Sequence, residues 1–206
     1  MGLRKFHRIP GRILQNASHW QLPLSLMLVS GVIAAGGLQL RELLKYDRIA
    51  IGGGELWRLL SGHFAHLNPN HLFLNLAGLV LVWLLTGRLF RTAEWLTVTA
   101  VTILVIDLGF WFLDPDMLWY VGLSGLLHGL LIAGAIRGFA SMPVEASLIC
   151  LGVALKLAWE QFAGPLPGSE QAAGAAVVVN AHLFGAIGGV AGVAILWCTG
   201  RWKASI

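Results

Sequence analysis

Apolar positions in this chain come in long runs, not in the alternation of a half-buried strand or the one-sided stripe of a surface helix. The runs cover roughly 22–40, 71–87, 95–113, 123–140, 144–162 and 175–197. Each approaches the ~20 residues that a helix needs to cross a hydrocarbon core. The pattern predicts an all-α integral membrane protein, a six-transmembrane-helix bundle over 22–198. A basic segment, 1–21, precedes it and a short basic tail, 199–206, follows. The fifth run is interrupted by Lys156 and Glu160. Their i, i+4 spacing allows pairing on one helical face, and their place near the run's end also allows them to snorkel to the interface.

The breaks between runs are short except for one, about 41–70. Loops longer than ~12–15 residues are usually functional or disordered. This one carries Trp57, Leu59, Leu60, Phe64 and Leu67, too much apolar surface for a solvated linker. It is expected to be a membrane-associated first external loop, folded back on the bundle or dipping into the outer leaflet. The weakly apolar stretch 156–168 suggests that the fifth span could act as a gate.

Composition agrees with the pattern. Hydrophobic residues make up 57% of the 206 positions and charged residues 12%, with a mean hydropathy of +0.75. A soluble domain carries about 25% charged residues, so this surface is too apolar for water. The net charge of +4 does not point to nucleic acid, because the cations sit in short loops where they set membrane orientation. With the N-terminus inside, the cytoplasmic segments hold Arg4, Lys5, Arg8, Arg12, Arg88, Arg91, Arg137, Arg201 and Lys203. Arg41, Lys45, Arg48 and Arg58 in the first external loop run against this bias. Both termini are nevertheless expected inside. The first run is longer than a cleavable h-region, so it reads as a retained signal anchor. Cys150 and Cys198 are expected to be inert thiols, and the sequence sets no oligomeric state.

Polar groups inside spans are functional suspects, and here they group at three helix starts. The second span opens with His71 and Asn75, one turn apart. The fourth opens with Gly122-Leu123-Ser124-Gly125, with His128 one turn after the serine. The sixth opens with Asn180-Ala181-His182. With alternating orientation all three starts lie toward the outer side. Small residues at four-residue spacing let helices approach closely: Gly125, Gly129 and Ala133 on the fourth span, Ala181, Gly185 and Gly189 on the sixth. Facing stripes would bring Ser124 to His182, a nucleophile to its base. No acidic residue is evident to orient His182, so a two-residue dyad is expected. His71, Asn75 and the Ser124 backbone N–H could supply donors to an oxyanion.

These residues resemble the rhomboid family of intramembrane serine proteases. Glu55-Leu56-Trp57-Arg58 looks like the family's E-x-W-R loop element, and His66, His71 and Asn75 its H-x₄-H-x₃-N pattern. Gly122-Leu123-Ser124-Gly125 is similar to the G-x-S-G nucleophile motif, and Ala181-His182-x-x-Gly185-x-x-x-Gly189 to the helix bearing the base. The resemblance implies Ser124 as nucleophile, His182 as base, and His71 and Asn75 in the oxyanion site. Glu55, Arg58 and His66 would shape the first loop. His128 stands where many members carry a tyrosine that packs on the catalytic histidine. The wording of 62–68 and 122–129 is similar to the rhombosortase branch. That implies membrane-anchored substrates with a glycine-rich C-terminal sorting anchor, no cofactor, and a bacterial inner-membrane location with the site opening toward the periplasm.

The rival from another class is a membrane metal or haem protein built on His63, His66, His71, His128 and His182. It leaves Ser124 and the glycine stripes unexplained, and no metal or cofactor is expected. An inactive relative of the same fold is disfavoured because both members of the dyad are present. A transporter is disfavoured because no internal repeat is visible. Asp107, midway along the third span, receives no role beyond pairing with an unknown donor.

Overall fold

The computed structural model describes residues 20–202. The basic segment and the last residues of the tail, including Arg4, Lys5, Arg8, Arg12 and Lys203, lie outside the described residues.

The first apolar run is not one straight helix. Helix α1, Gln21–Ala35, turns by 119° into α2, Gly37–Leu44. The break falls at a Gly-Gly pair whose second member has φ +66°, a conformation that costs glycine little and other residues more. At 1.5 Å per residue the 15 residues of α1 rise about 22 Å, short of the ~30 Å hydrocarbon core.

The first loop is folded. It contains a two-residue strand β1, Tyr46–Asp47, and the short helices α3, Arg48–Gly52, and α4, Trp57–Ser61. Charged side chains brace it through backbone carbonyls. Arg58 donates to Glu42 O at 2.8 Å and Lys45 O at 3.0 Å, and its Nε meets Glu55 Oε2 at 2.6 Å. Arg48 donates to Phe110 O and Trp111 O at 2.9 and 2.7 Å, satisfying carbonyls near the end of a helix that otherwise lack partners. Glu55 and Arg58 therefore hold the loop's shape by direct contact.

Helix α5, Pro69–Thr86, begins with Asn68 as N-cap, whose side chain accepts from His71 N at 2.9 Å, and with Pro69 in its first turn. Helix α6, Thr92–Phe112, opens with Glu94 reaching back to accept from Arg91 N–H at 2.7 Å. A second short strand, β2, Trp119–Tyr120, pairs antiparallel with β1 and ties the loop to the approach of α7, Ser124–Gly138. Helix α8, Pro143–Ala163, short α9, Ser169–Ala173, and α10, Val179–Cys198, complete the chain.

Among the described residues four helical segments are long and apolar enough to cross a membrane: Pro69–Leu89, Thr92–Phe112, Pro143–Ala163 and Val179–Cys198. The bent pair α1–α2 would make a fifth. The expected fourth span is shorter than its apolar run, because α7 has only 15 residues. The residues just before it are held by the β1–β2 pair and by Gly122 N–H donating to Gly62 O at 3.2 Å. Irregular backbone in an apolar setting is tolerable where protein covers it, and Tyr120, Val121 and Leu123 are all buried.

Helix α10 lies at the centre, packed on α6 and α7, while α8 contacts only α7 and α10 closely. The two small-residue stripes do face each other. A methyl at Gly125 would lie 2.8 Å from Ala181 O, and one at Gly129 would lie 2.6 Å from Gly185 O. Methyls at Gly185 and Gly189 would in turn strike the Gly125 and Gly129 carbonyls. Glycine is needed here for backbone-to-backbone approach.

Candidate active site

The helix starts of α5, α7 and α10 converge on one cavity of about 250 Å³, whose fourth wall is α8 and whose cover is the α8–α10 connection. Ser124, His182, His71, Asn75, His128, Lys156 and Glu160 line it, with Leu166, Ala173 and Val178 above. The cover is tied down at two points. Asn68 Nδ2 donates to Gly174 O at 2.9 Å, and Asn180 Nδ2 donates to Asp114 Oδ2 at 2.6 Å.

Ser124 Oγ lies 3.0 Å from His182 Nε2, within the reach a base needs to activate a hydroxyl. The glycine stripes set this distance, since Gly125 and Ala181 are neighbours of the two residues and touch each other. Ser124 is also the first residue of α7, so its backbone N–H has no acceptor within the helix. Gly122 adopts φ +129°, and a methyl there would sit 3.0 Å from the His71 ring and 4.0 Å from Asn75 Nδ2. His71 and Asn75 thus lie against the turn that precedes the serine. Asn75 Nδ2 also donates to His71 O at 3.0 Å, and His71 Nδ1 has no partner among the described residues.

Tyr120 braces the same turn, donating its hydroxyl to Gly122 O at 2.6 Å. Burial raises the phenol's pKa, which keeps that proton in place. His128 stacks on His182 with ring centroids 4.3 Å apart and 22° between planes, so the imidazole fills the packing place of the family's tyrosine. Its Nδ1 faces Ser124 O at 2.7 Å, so that nitrogen carries the proton and donates to the carbonyl. His66 supports from the loop side: its Nδ1 faces Phe64 O at 3.1 Å and its ring meets His71 edge-on at 5.1 Å. Burial, with His71 adding to it, pushes the His66 pKa down to about 4, so it stays neutral.

One finding departs from expectation. An acidic group does face His182: both Glu160 oxygens lie near its Nδ1, Oε2 at 2.9 Å and Oε1 at 3.1 Å. Lys156 Nζ sits 2.6 Å from Glu160 Oε1. The i, i+4 pairing was readable along α8, but its direction toward α10 is a matter of packing. Asp107 finds its donor in His63, at 3.2 Å, both buried, which fastens the first loop to α6 away from the cavity.

The histidines thus divide into separate contacts: His63 with Asp107, His66 with His71, His128 with His182. Among the described residues no three His, Cys, Asp or Glu side chains come together as a metal site. The metal or haem reading has no geometric support. Cys150 and Cys198 are free thiols, half-buried and exposed.

The family described as Rhomboid domain matches residues 53–199, which spans the later part of the first loop, all three converging helix starts and α8. The chain belongs to the rhomboid family. No curated protein matches the chain closely enough to add an assignment by sequence identity. Rhomboid proteins are intramembrane serine proteases acting on membrane-anchored substrates, and this rhomboid's apolar helices agree with a multi-pass membrane protein. The matched range begins after the α1–α2 pair.

Proposed function

We propose that this rhomboid cleaves membrane-anchored proteins within or next to their transmembrane segment, with Ser124 as nucleophile and His182 as general base. The observation that carries the reading is the 3.0 Å contact between Ser124 Oγ and His182 Nε2 in a cavity of about 250 Å³. Oγ adds to the scissile carbonyl carbon as its proton passes to Nε2. The developing oxyanion is held by the Ser124 backbone N–H, with His71 and Asn75 at the same turn. The C–N bond then breaks and the Nε2 proton leaves with the amine. Water, activated by the same nitrogen, releases the acyl group. No cofactor is required.

The substrate class is one with a glycine-rich C-terminal sorting anchor, as in the rhombosortase branch. Glycine lowers the cost of unwinding a helix to expose its peptide bond, and the apolar part of the cavity lining, which includes Leu74, Val121, Leu127 and Leu166, suits an apolar strand with small side chains. The sign of the loop charges supports cytoplasmic termini and a site opening on the periplasmic side of a bacterial inner membrane. Helix α8, only 17% buried over its apolar window, is the wall with the fewest contacts to break for substrate entry.

The test is co-expression with a tagged reporter bearing a glycine-rich anchor. Ser124→Ala and His182→Ala should each abolish cleavage, a loss on the order of 10⁴-fold or more, at unchanged expression and membrane insertion. Cleavage persisting in either variant removes that residue from the chemistry. Cleavage absent in the wild type, with Ser124 still labelled by a fluorophosphonate, rejects the glycine-rich substrate and keeps the nucleophile.

A further inference from the structure

The carboxylate of Glu160 makes no contact with Ser124, yet it sits on the far nitrogen of the base. We infer that Glu160 is a positioning residue, held by Lys156, that fixes the tautomer of His182 and so makes this rhomboid's site a Ser–His–Glu relay. The inference rests on the serine-protease reading above.

The argument is one of donor and acceptor counting. An ionised carboxylate only accepts hydrogen bonds and an ammonium only donates. His182 Nδ1 is contacted by both: Glu160 at 2.9 and 3.1 Å, Lys156 Nζ at 3.2 Å. With the proton on Nδ1, the imidazole donates to Glu160, and Nε2 presents a lone pair to the Ser124 hydroxyl 3.0 Å away. With the proton on Nε2, Lys156 could donate to the Nδ1 lone pair, but the two nearer carboxylate oxygens would face that same lone pair and Nε2 could no longer accept from the serine; the shorter Glu160 contacts and the serine therefore favour the proton on Nδ1. Glu160 is almost wholly buried, at 3% exposure, so water does not dilute this choice.

Lys156 gives the carboxylate its other partner, at 2.6 Å to Oε1, and leaves Oε2 as the nearer oxygen to His182. When the Ser124 proton arrives on Nε2, the Nδ1 proton stays where it is. The imidazolium then faces an anion already in place, and Glu160 itself gains no proton. Ring orientation is set independently by the His128 stack, so Glu160 governs proton placement while His128 governs tilt.

The experiment uses the full chain in lipid nanodiscs. Glu160→Leu removes the acceptor, and Glu160→Gln keeps the shape while offering either an oxygen or an N–H to Nδ1. The rate of Ser124 phosphonylation by a fluorophosphonate, which stands in for acylation, and the kcat and KM on the reporter are read together. ¹⁵N-histidine spectra report the tautomer, with the His182 signals assigned by their loss in His182→Ala. The wild type should show the proton on Nδ1. Both variants should lose that preference, with kcat and acylation falling roughly 10²- to 10³-fold and KM little changed. Lys156→Met should cost less, and added to Glu160→Leu should cost nothing more, because the two act through one contact.

An unchanged His182 tautomer in Glu160→Leu overturns the inference, even if activity falls. A changed tautomer with kcat within threefold of wild type overturns it as well. Wild-type protein that neither cleaves nor is acylated at Ser124 would instead reject the protease reading, while the spectra would still report whether Glu160 sets the tautomer.

Discussion

The α7–α10 pair and the α8 wall are both helical and apolar, but they are built by different rules. Over its apolar window α10 is 56% buried and α8 is 17% buried. On α10, Gly185 and Gly189 face the carbonyls of Gly125 and Gly129 on α7. On α8, Gly152 would meet nothing within 4 Å if it gained a methyl, and Leu148, Leu151, Leu155 and Phe162 are exposed. In lipid, exposed leucine carries no penalty and close packing is what holds helices together. Ser124 and His182, the proposed nucleophile and base, are therefore mounted on the tightly packed pair. Glu160, the proposed positioning residue, is mounted on the loosely packed wall. The Ser124–His182 distance is thus set where helices meet backbone to backbone, and only the carboxylate contact to His182 comes from the looser helix.

The sharpest way to break this contrast is to enlarge a residue inside the tight pair. Gly185→Val should destabilise by about 3 kcal/mol or more, because the side chain would meet the Gly125 carbonyl. Thermal unfolding in detergent would read this, and Ser124 acylation should fall with it. A Gly185→Val protein that melted like wild type would mean that the two backbones are not in contact.

The first loop belongs to the tight side. Asp107→Leu should cost about 1–3 kcal/mol, since His63 would be left buried with neither nitrogen paired. The expected loss is in melting temperature and not in kcat, because neither residue reaches the cavity.

His66 supplies a pH dependence. Its folded pKa of about 4 lies below the ordinary 6.5, so the unfolded chain takes up a proton first as pH falls. The stability that neutral His66 contributes is complete above about pH 6.5 and is lost progressively toward pH 4, roughly 1–3 kcal/mol in all. His66→Asn should flatten the slope of melting temperature against pH between 6.5 and 4; an unchanged slope would assign the effect to other groups.

The smallest effect is expected on the loose side. Gly152→Ala should be neutral or stabilising by about 0.5–1 kcal/mol, through helix propensity alone. Measured beside Gly185→Val, it asks whether two helical glycines in one protein differ in sign for the reason given. A loss at Gly152 equal to that at Gly185 would erase the distinction between the two regions.

The sequence by itself determined which segments are apolar enough for a membrane and which polar residues they carry. It also determined that Ser124 and His182 stand at helix starts backed by matching small-residue stripes. Those are properties of spacing along one helix, and spacing is one-dimensional information. The bend at Gly36–Gly37 escaped it, because hydropathy reports how long an apolar run is and not whether the helix within it changes direction. Tertiary structure alone decided what crosses between elements: Glu160 on His182, His63 on Asp107, Tyr120 under the Gly122 turn. Lys156 and Glu160 were visible as a pair on α8, but the rotation of α8 against α10 set which neighbour the carboxylate would meet. That rotation follows from packing among α7, α8 and α10 together, and no single stretch of the chain encodes it.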